Sequence, residues 1–334
     1  MRRNASVLLL LPILATLPLT TPAASQDVQT VELREWTVPW PNSRPRDPYF
    51  DAASGFVWFV GQTGNYVAYF DPRTTEFKRY EIEDGTNPHS LIVDSRGVWY
   101  TGNQNGRIGR LDPQTGKLTI YMMPDSTARD PHTPIFDAKG DLWFTVQGGN
   151  FVGKLDTGSG KIVLAQPPFR GARPYGIVLD REGRVWFDLF GTNRIGTIDP
   201  ATMKMTTMDL PNQRSRPRRI AITSDQRIWY TDYALGRLGR LDPKTGEVRD
   251  WPTPGGERSQ PYAMAVDDRD RIWFVETGVR PNRFVGFDPR SEAFFSVTDI
   301  ASGGGAVRQM MFDPKARVIW FGTDTNNIGR VVVP

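Results

Sequence analysis

Apolar runs of about four to six residues, split by short polar turns, fill this chain after its first 26 residues, and no segment there sustains helical spacing. One stretch reads GIVLD (176–180), RVWFDL (184–189), RIGTIDPATM (194–203) and KMTTMDLP (204–211). Such runs, rich in Val, Ile, Trp, Phe and Tyr and bounded by Gly, Asp, Asn and Pro, are the pattern of half-buried strands. The Asp-Pro-x-Thr-Gly segments at Asp112–Gly116 and Asp242–Gly246 have Pro where a type I turn wants it and Gly where the chain reverses, which predicts hairpin tips.

The four-run unit repeats. Its marker is a Trp followed by Phe or Tyr, at Trp58, Trp99, Trp143, Trp186, Trp229, Trp273 and Trp320, spaced by 41, 44, 43, 43, 44 and 47 residues. A period in the low forties with four strands per unit predicts an all-β fold, a seven-bladed β-propeller of four-stranded antiparallel blades. The blades are expected at about 45–84, 87–125, 130–168, 173–211, 216–254, 260–300 and 304–334. The last has only three strands of its own, whereas Glu32–Pro39 resembles the outer strand Glu247–Pro254 of blade five. The N-terminal strand is therefore expected to complete the last blade and close the ring, leaving no unpaired edge. Because each repeat packs only on its neighbours, residues 27–334 are expected to be one domain.

Residues 1–26 have the make-up of a secretory signal peptide: Arg2 and Arg3, an apolar core from Val7 to Leu19, and small residues from Thr20 to Ser25. No later stretch approaches the roughly 20 apolar residues of a membrane-spanning helix. With no cysteine in 334 residues, the expectation is a bacterial periplasmic or secreted protein, monomeric and without a membrane span. The 41 basic and 37 acidic residues are mixed along the chain apart from Arg214, Arg216, Arg218 and Arg219, a balance that gives no reason to expect nucleic acid as a partner.

In a repeat protein the shared positions serve packing. The repeated Trp residues are expected to fill the space between sheets, and Gly109, Gly196 and Gly239 to permit close approach. Chemistry is sought where the repeat varies. The residue after the Pro that opens each blade, at the start of the innermost strand, is Arg46, His89, His132, Tyr175, Arg218 and Tyr262, with Arg308 in the Pro-less seventh copy. These side chains should ring one mouth of the central channel as a polar funnel for a small-molecule or peptide-like ligand. The only two histidines of the chain hold this position in adjacent blades.

The Pro-Tyr-Gly-Ile of Pro174–Ile177, the Leu-Trp-Phe-Thr of Leu142–Thr145 and the Asn-Arg-Ile-Gly of Asn193–Gly196, with outer strands ending in Pro, resemble the virginiamycin B lyase (streptogramin lyase) family over nearly all of the chain after the leader. The resemblance implies that Asp130, in Asp130-Pro131-His132, holds Mg²⁺, that His132 is the general base, and that His89, in Asn87-Pro88-His89, contacts the substrate or the metal shell. The implied reaction is an elimination that opens a cyclic depsipeptide at its ester. Two departures stand out: the family's second metal-binding carboxylate is replaced by Val146, followed by Gln147, and the His pair lies in blades two and three rather than late in the chain. Arg46, Tyr175, Arg218, Tyr262, Arg308 and Gln147 complete the expected substrate-binding set.

Three functions follow from this reading. One is a lyase of that type; another is a non-catalytic propeller binding a peptide, sugar or protein partner; the third, a metal-dependent lactonase, expects a cluster of Asp, Glu and Asn in the channel that the sequence does not display. A Cys nucleophile, a Gly-x-Ser-x-Gly elbow, a phosphate loop, zinc spacing and a Trp-Asp signature are all absent.

Overall fold

The computed structural model describes residues 28–334, so the leader expected at 1–26 lies outside the described residues. Seven four-stranded antiparallel sheets follow one another around a ring. Blade three shows the plan: Pro131–Phe136 lines the axis, and Leu142–Val146, Phe151–Leu155 and Ile162–Ala165 follow outward in sequence order. The seventh sheet is the exception, combining Met310–Asp313, Val318–Gly322 and Asn327–Val332 with Leu33–Thr37 from the other end of the chain. Leu33 pairs with Val331 and Thr37 with Asn327, so the ring closes in the expected register. The same segment also grips blade six, where the Val31 N–H donates to Thr298 Oγ1 at 2.9 Å.

The repeated Trp residues are buried between neighbouring sheets, and most keep a polar tether. Indole N–H groups of Trp99, Trp143, Trp186 and Trp273 donate to Asp94, Asp137, Asp180 and Asp267 at 2.9–3.0 Å, while Trp229 donates to Thr223. These five rings thus bury a large apolar surface with the N–H satisfied, whereas that of Trp320 is buried without a partner. Close approach at the repeated glycines is confirmed: a Cβ on Gly109 or Gly239 would come within 2.0 Å of a neighbouring tyrosine ring.

Three junctions between adjacent blades are latched near the axis by one hydroxyl each. Thr145 Oγ1 accepts from the Thr133 N–H of its own blade at 3.3 Å and donates to the Tyr175 carbonyl of the next at 2.7 Å. Thr101 bridges Ser90 and His132 in the same way, and Thr231 bridges Arg219 and Tyr262. These bonds hold the residues around the axis in fixed relative positions.

Candidate functional site

The residue after each opening Pro does reach the axis, and a backbone irregularity sends its successor there too. In the six blades that open with Pro, the pairing of the first strand slips at this point, as between Pro131 and Pro134, Pro174 and Ile177, and Pro217 and Arg219. Such a bulge breaks the alternation of a strand and re-aims side chains. Arg46 and Asp47, His132 and Thr133, and Arg218 and Arg219 accordingly all contribute to one cluster around the axis.

The sequence suggests an open funnel, but these side chains instead meet across the axis and close it. The rings of His89 and His132 lie 3.3 Å apart between centroids, and His132 is 3.9 Å from Tyr175. The hydroxyls of Tyr175 and Tyr262 are in hydrogen-bond contact. Arg46 donates to His89 Nε2 at 2.6 Å and to Gln62 Oε1 at 2.6 Å. Below them Arg219 crosses the channel, giving Nε to the Arg308 carbonyl at 2.7 Å, Nη1 to Thr133 Oγ1 at 2.9 Å and Nη2 to Asp47 Oδ2 at 3.5 Å. His132 is left 1% exposed and His89 4%.

Electrostatics follow from this crowding of cations. Both imidazoles are held well below the usual histidine range and are neutral: burial is the main cause for each, reinforced at His89 by Arg46 and at His132 by Arg219 and Arg46. Burial pushes the Tyr175 phenol up, but Arg218, Arg219 and Arg46 outweigh it and hold that phenol below its ordinary value. Burial and then the neighbouring Tyr175 push Tyr262 the other way.

Arg218 is set in an aromatic cage. Its guanidinium carbon lies 3.9 Å from the ring centroid of Tyr262, 4.2 Å from Tyr233, 4.6 Å from Phe190 and 5.4 Å from Tyr175. Arg308 pairs with Asp324. Phe190, Tyr233, Asp47, Thr133 and Arg219 all escape the repeat reading. The first two follow the second strand of their blades. The others are second residues of a bulge, and an alternating strand would turn them away from the axis.

Asp130 and Gln147 stand apart from this cluster. The carboxylate of Asp130 accepts the backbone N–H groups of Gly148 and Gly149 and so ties the loop that follows Val146. Gln147 is half-buried and makes no side-chain hydrogen bond to the ring residues, while Val146 is fully buried in the apolar core between blades two and three. Mg²⁺ prefers several hard oxygen ligands, usually carboxylates. This donor set does not fit it: one carboxylate is already engaged, Val146 offers no ligand atom, and guanidiniums crowd the histidines. Among the described residues no three His, Asp or Glu side chains are grouped to hold a metal. The assignment of Mg²⁺ to Asp130 therefore finds no support in the geometry.

The sequence pattern of the virginiamycin B lyase family matches residues 31–331. Among solved structures, a selenomethionine-substituted virginiamycin B lyase from Staphylococcus aureus superposes with a TM-score of 0.81 at 23% identity, over 91% of this chain and 99% of that one. A streptogramin B lyase structure gives 0.81 at 26% identity, over 91% and 98%. A catalytically inactive histidine-to-alanine variant of the S. aureus enzyme with quinupristin gives 0.82 at 23%, over 91% and 99%. None of the curated proteins matches. With the fold, the closing strand and the paired Pro-His segments in place, the chain belongs to the virginiamycin B lyase family.

Proposed function

We propose that this protein is a carbon–oxygen lyase that opens a cyclic ester, of the depsipeptide kind or a related one, by elimination, and that it acts outside the cytoplasm as its leader implies. The observation that carries this reading is the setting of His132. Its ring is neutral, which is the form that accepts a proton, and Nδ1 is anchored 2.9 Å from Thr133 Oγ1, itself held by Arg219 at 2.9 Å. A base oriented by a second group, itself fixed by a third, is the arrangement that proton abstraction needs.

In this reaction the proton on the carbon next to the one that carries the ester oxygen, acidified by the amide carbonyl it adjoins, passes to His132 Nε2. The electron pair left behind forms a carbon–carbon double bond, the ester C–O bond on the far carbon breaks, and a carboxylate leaves. No water is consumed. Negative charge developing on the carbonyl oxygen is met by the guanidiniums of Arg46 and Arg219, preorganised donors in a site that excludes water. Support comes from the family membership and from a structurally similar lyase having been solved with quinupristin.

The closure of the axis favours a second reading. With His132 only 1% exposed, a substrate reaches it only if the tyrosines and arginines around it move. If they do not, the polar cluster is a plug and the protein is a binding propeller whose ligand sits above it.

Mass spectrometry of a streptogramin B depsipeptide incubated with the protein and with His132→Ala separates these readings. A ring-opened product of unchanged mass, lost in the variant, supports elimination. A product heavier by one water means hydrolysis and points to a lactonase. No turnover of this or other cyclic esters leaves the binding propeller.

A further inference from the structure

The cations at the channel mouth are not neutralised. Arg46 and Arg219 share Asp47, at 3.6 and 3.5 Å, and Arg44 and Arg308 share Asp324. Among the described residues Arg218 has no carboxylate within ion-pair distance, its side chain reaches only the Tyr175 hydroxyl, and its Nε is buried without a partner. Five guanidiniums thus face two carboxylates, and the one with none is the one caged by aromatic rings. Aromatic faces stabilise a guanidinium, but they offer no oxygen acceptors to its fork of N–H donors. A planar fork of donors held rigid in a cage matches the two oxygens of a carboxylate.

The surroundings say what would be attached to that carboxylate. A recess of about 610 Å³ opens on the same face over blades four to six, and two of its walls, Phe190 and Tyr233, are the rings that touch Arg218. Arg216 and Arg258 line it as well, against the single carboxylate of Glu257. Flat apolar walls beside an unpaired cation suit a ring.

We infer that the mouth binds a small aromatic carboxylate, its oxygens held by Arg218 and its ring lying on Phe190 and Tyr233. This rests on the lyase reading only in that the carboxylate set free by elimination is the group Arg218 would take. The site itself stands without turnover.

Calorimetric titration of the protein with benzoate, benzamide and sulfate tests the assignment. Benzoate is expected to bind and benzamide not. Arg218→Gln should weaken benzoate roughly tenfold or more, as loss of a charge-assisted pair implies. Phe190→Ala, at the half-buried rim, should weaken it less and serves as the probe if Arg218→Gln does not fold. Equal binding of benzamide, equal competition by sulfate, or unchanged affinity in both variants would overturn the inference, sulfate by showing a counter-ion site only. His132→Ala separates the two claims: it is expected to keep benzoate binding while losing depsipeptide turnover. Benzoate binding without any turnover would sink the lyase reading and leave this one intact, and turnover without benzoate binding would do the reverse.

Discussion

The Arg46 guanidinium donates to His89 Nε2 at 2.6 Å. A guanidinium has only donors, so Nε2 must carry a lone pair and the ring proton sits on Nδ1, which lies 3.8 Å from Asp47 Oδ2. The basic nitrogen of His89 is therefore occupied, whereas among the described residues Nε2 of His132 has no hydrogen-bond partner. The two histidines look equivalent in the repeat and are not equivalent in the site. In the depsipeptide assay, His132→Ala should lower kcat by about two to four orders of magnitude, the usual contribution of a positioned base. His89→Gln, whose amide oxygen can still accept from Arg46, should retain most of it.

Asp47 is the shared counter-charge of Arg46 and Arg219, and all three are buried. Asp47→Asn should destabilise the fold by about 3–5 kcal/mol, because two buried cations lose their carboxylate. Urea denaturation followed by tryptophan fluorescence measures this, and a change below about 1 kcal/mol would show that solvent or ions already neutralise the pair.

The hydroxyl latches predict a difference between two conservative changes. Thr145→Val keeps the shape of the side chain but leaves the Tyr175 carbonyl without its donor, at a cost of about 1–3 kcal/mol. Thr145→Ser should cost much less. Equal losses for the two would place the effect in packing.

At the latch position of blade four the chain has Asp188 in place of threonine. One oxygen accepts from the Gly176 N–H at 3.0 Å, and the other is buried without a partner. Burial pushes this carboxyl well above the usual range, against the pull of Arg219, so the native state keeps the proton that the unfolded chain releases. The proton-linked stability is full below the ordinary carboxyl value and is lost as pH rises toward the native one. Asp188→Asn removes this dependence. Its stability relative to the unchanged protein should therefore rise from about pH 3 to pH 7, as read by paired urea titrations, and a flat difference would mean the carboxyl is ionised in the native state.

Chelation should change nothing. With Asp130 tied to Gly148 and Gly149 and with Val146 apolar, EDTA or added Mg²⁺ is expected to leave both melting temperature and turnover unaltered. Chelator-sensitive turnover, abolished by Asp130→Ala, would return the metal to this site.

The amino-acid sequence by itself determined the blade count, the strand order within each blade, the closure by the N-terminal strand and the first side chain that each blade sends toward the axis. Those follow from a repeat of about forty residues and a two-residue strand alternation, both of which are local. It also pointed to the chain's two histidines, which hold the same repeat position in adjacent blades. Only the tertiary structure decided that the axis is closed, that Arg219 and Asp47 belong to the site, and that Arg218 sits unpaired among four rings. The reason is the bulge after each opening Pro: one unpaired residue turns two consecutive side chains onto the axis, and the contacts they make there join blades more than eighty residues apart, as between Arg219 and Thr133 or Tyr175 and Tyr262.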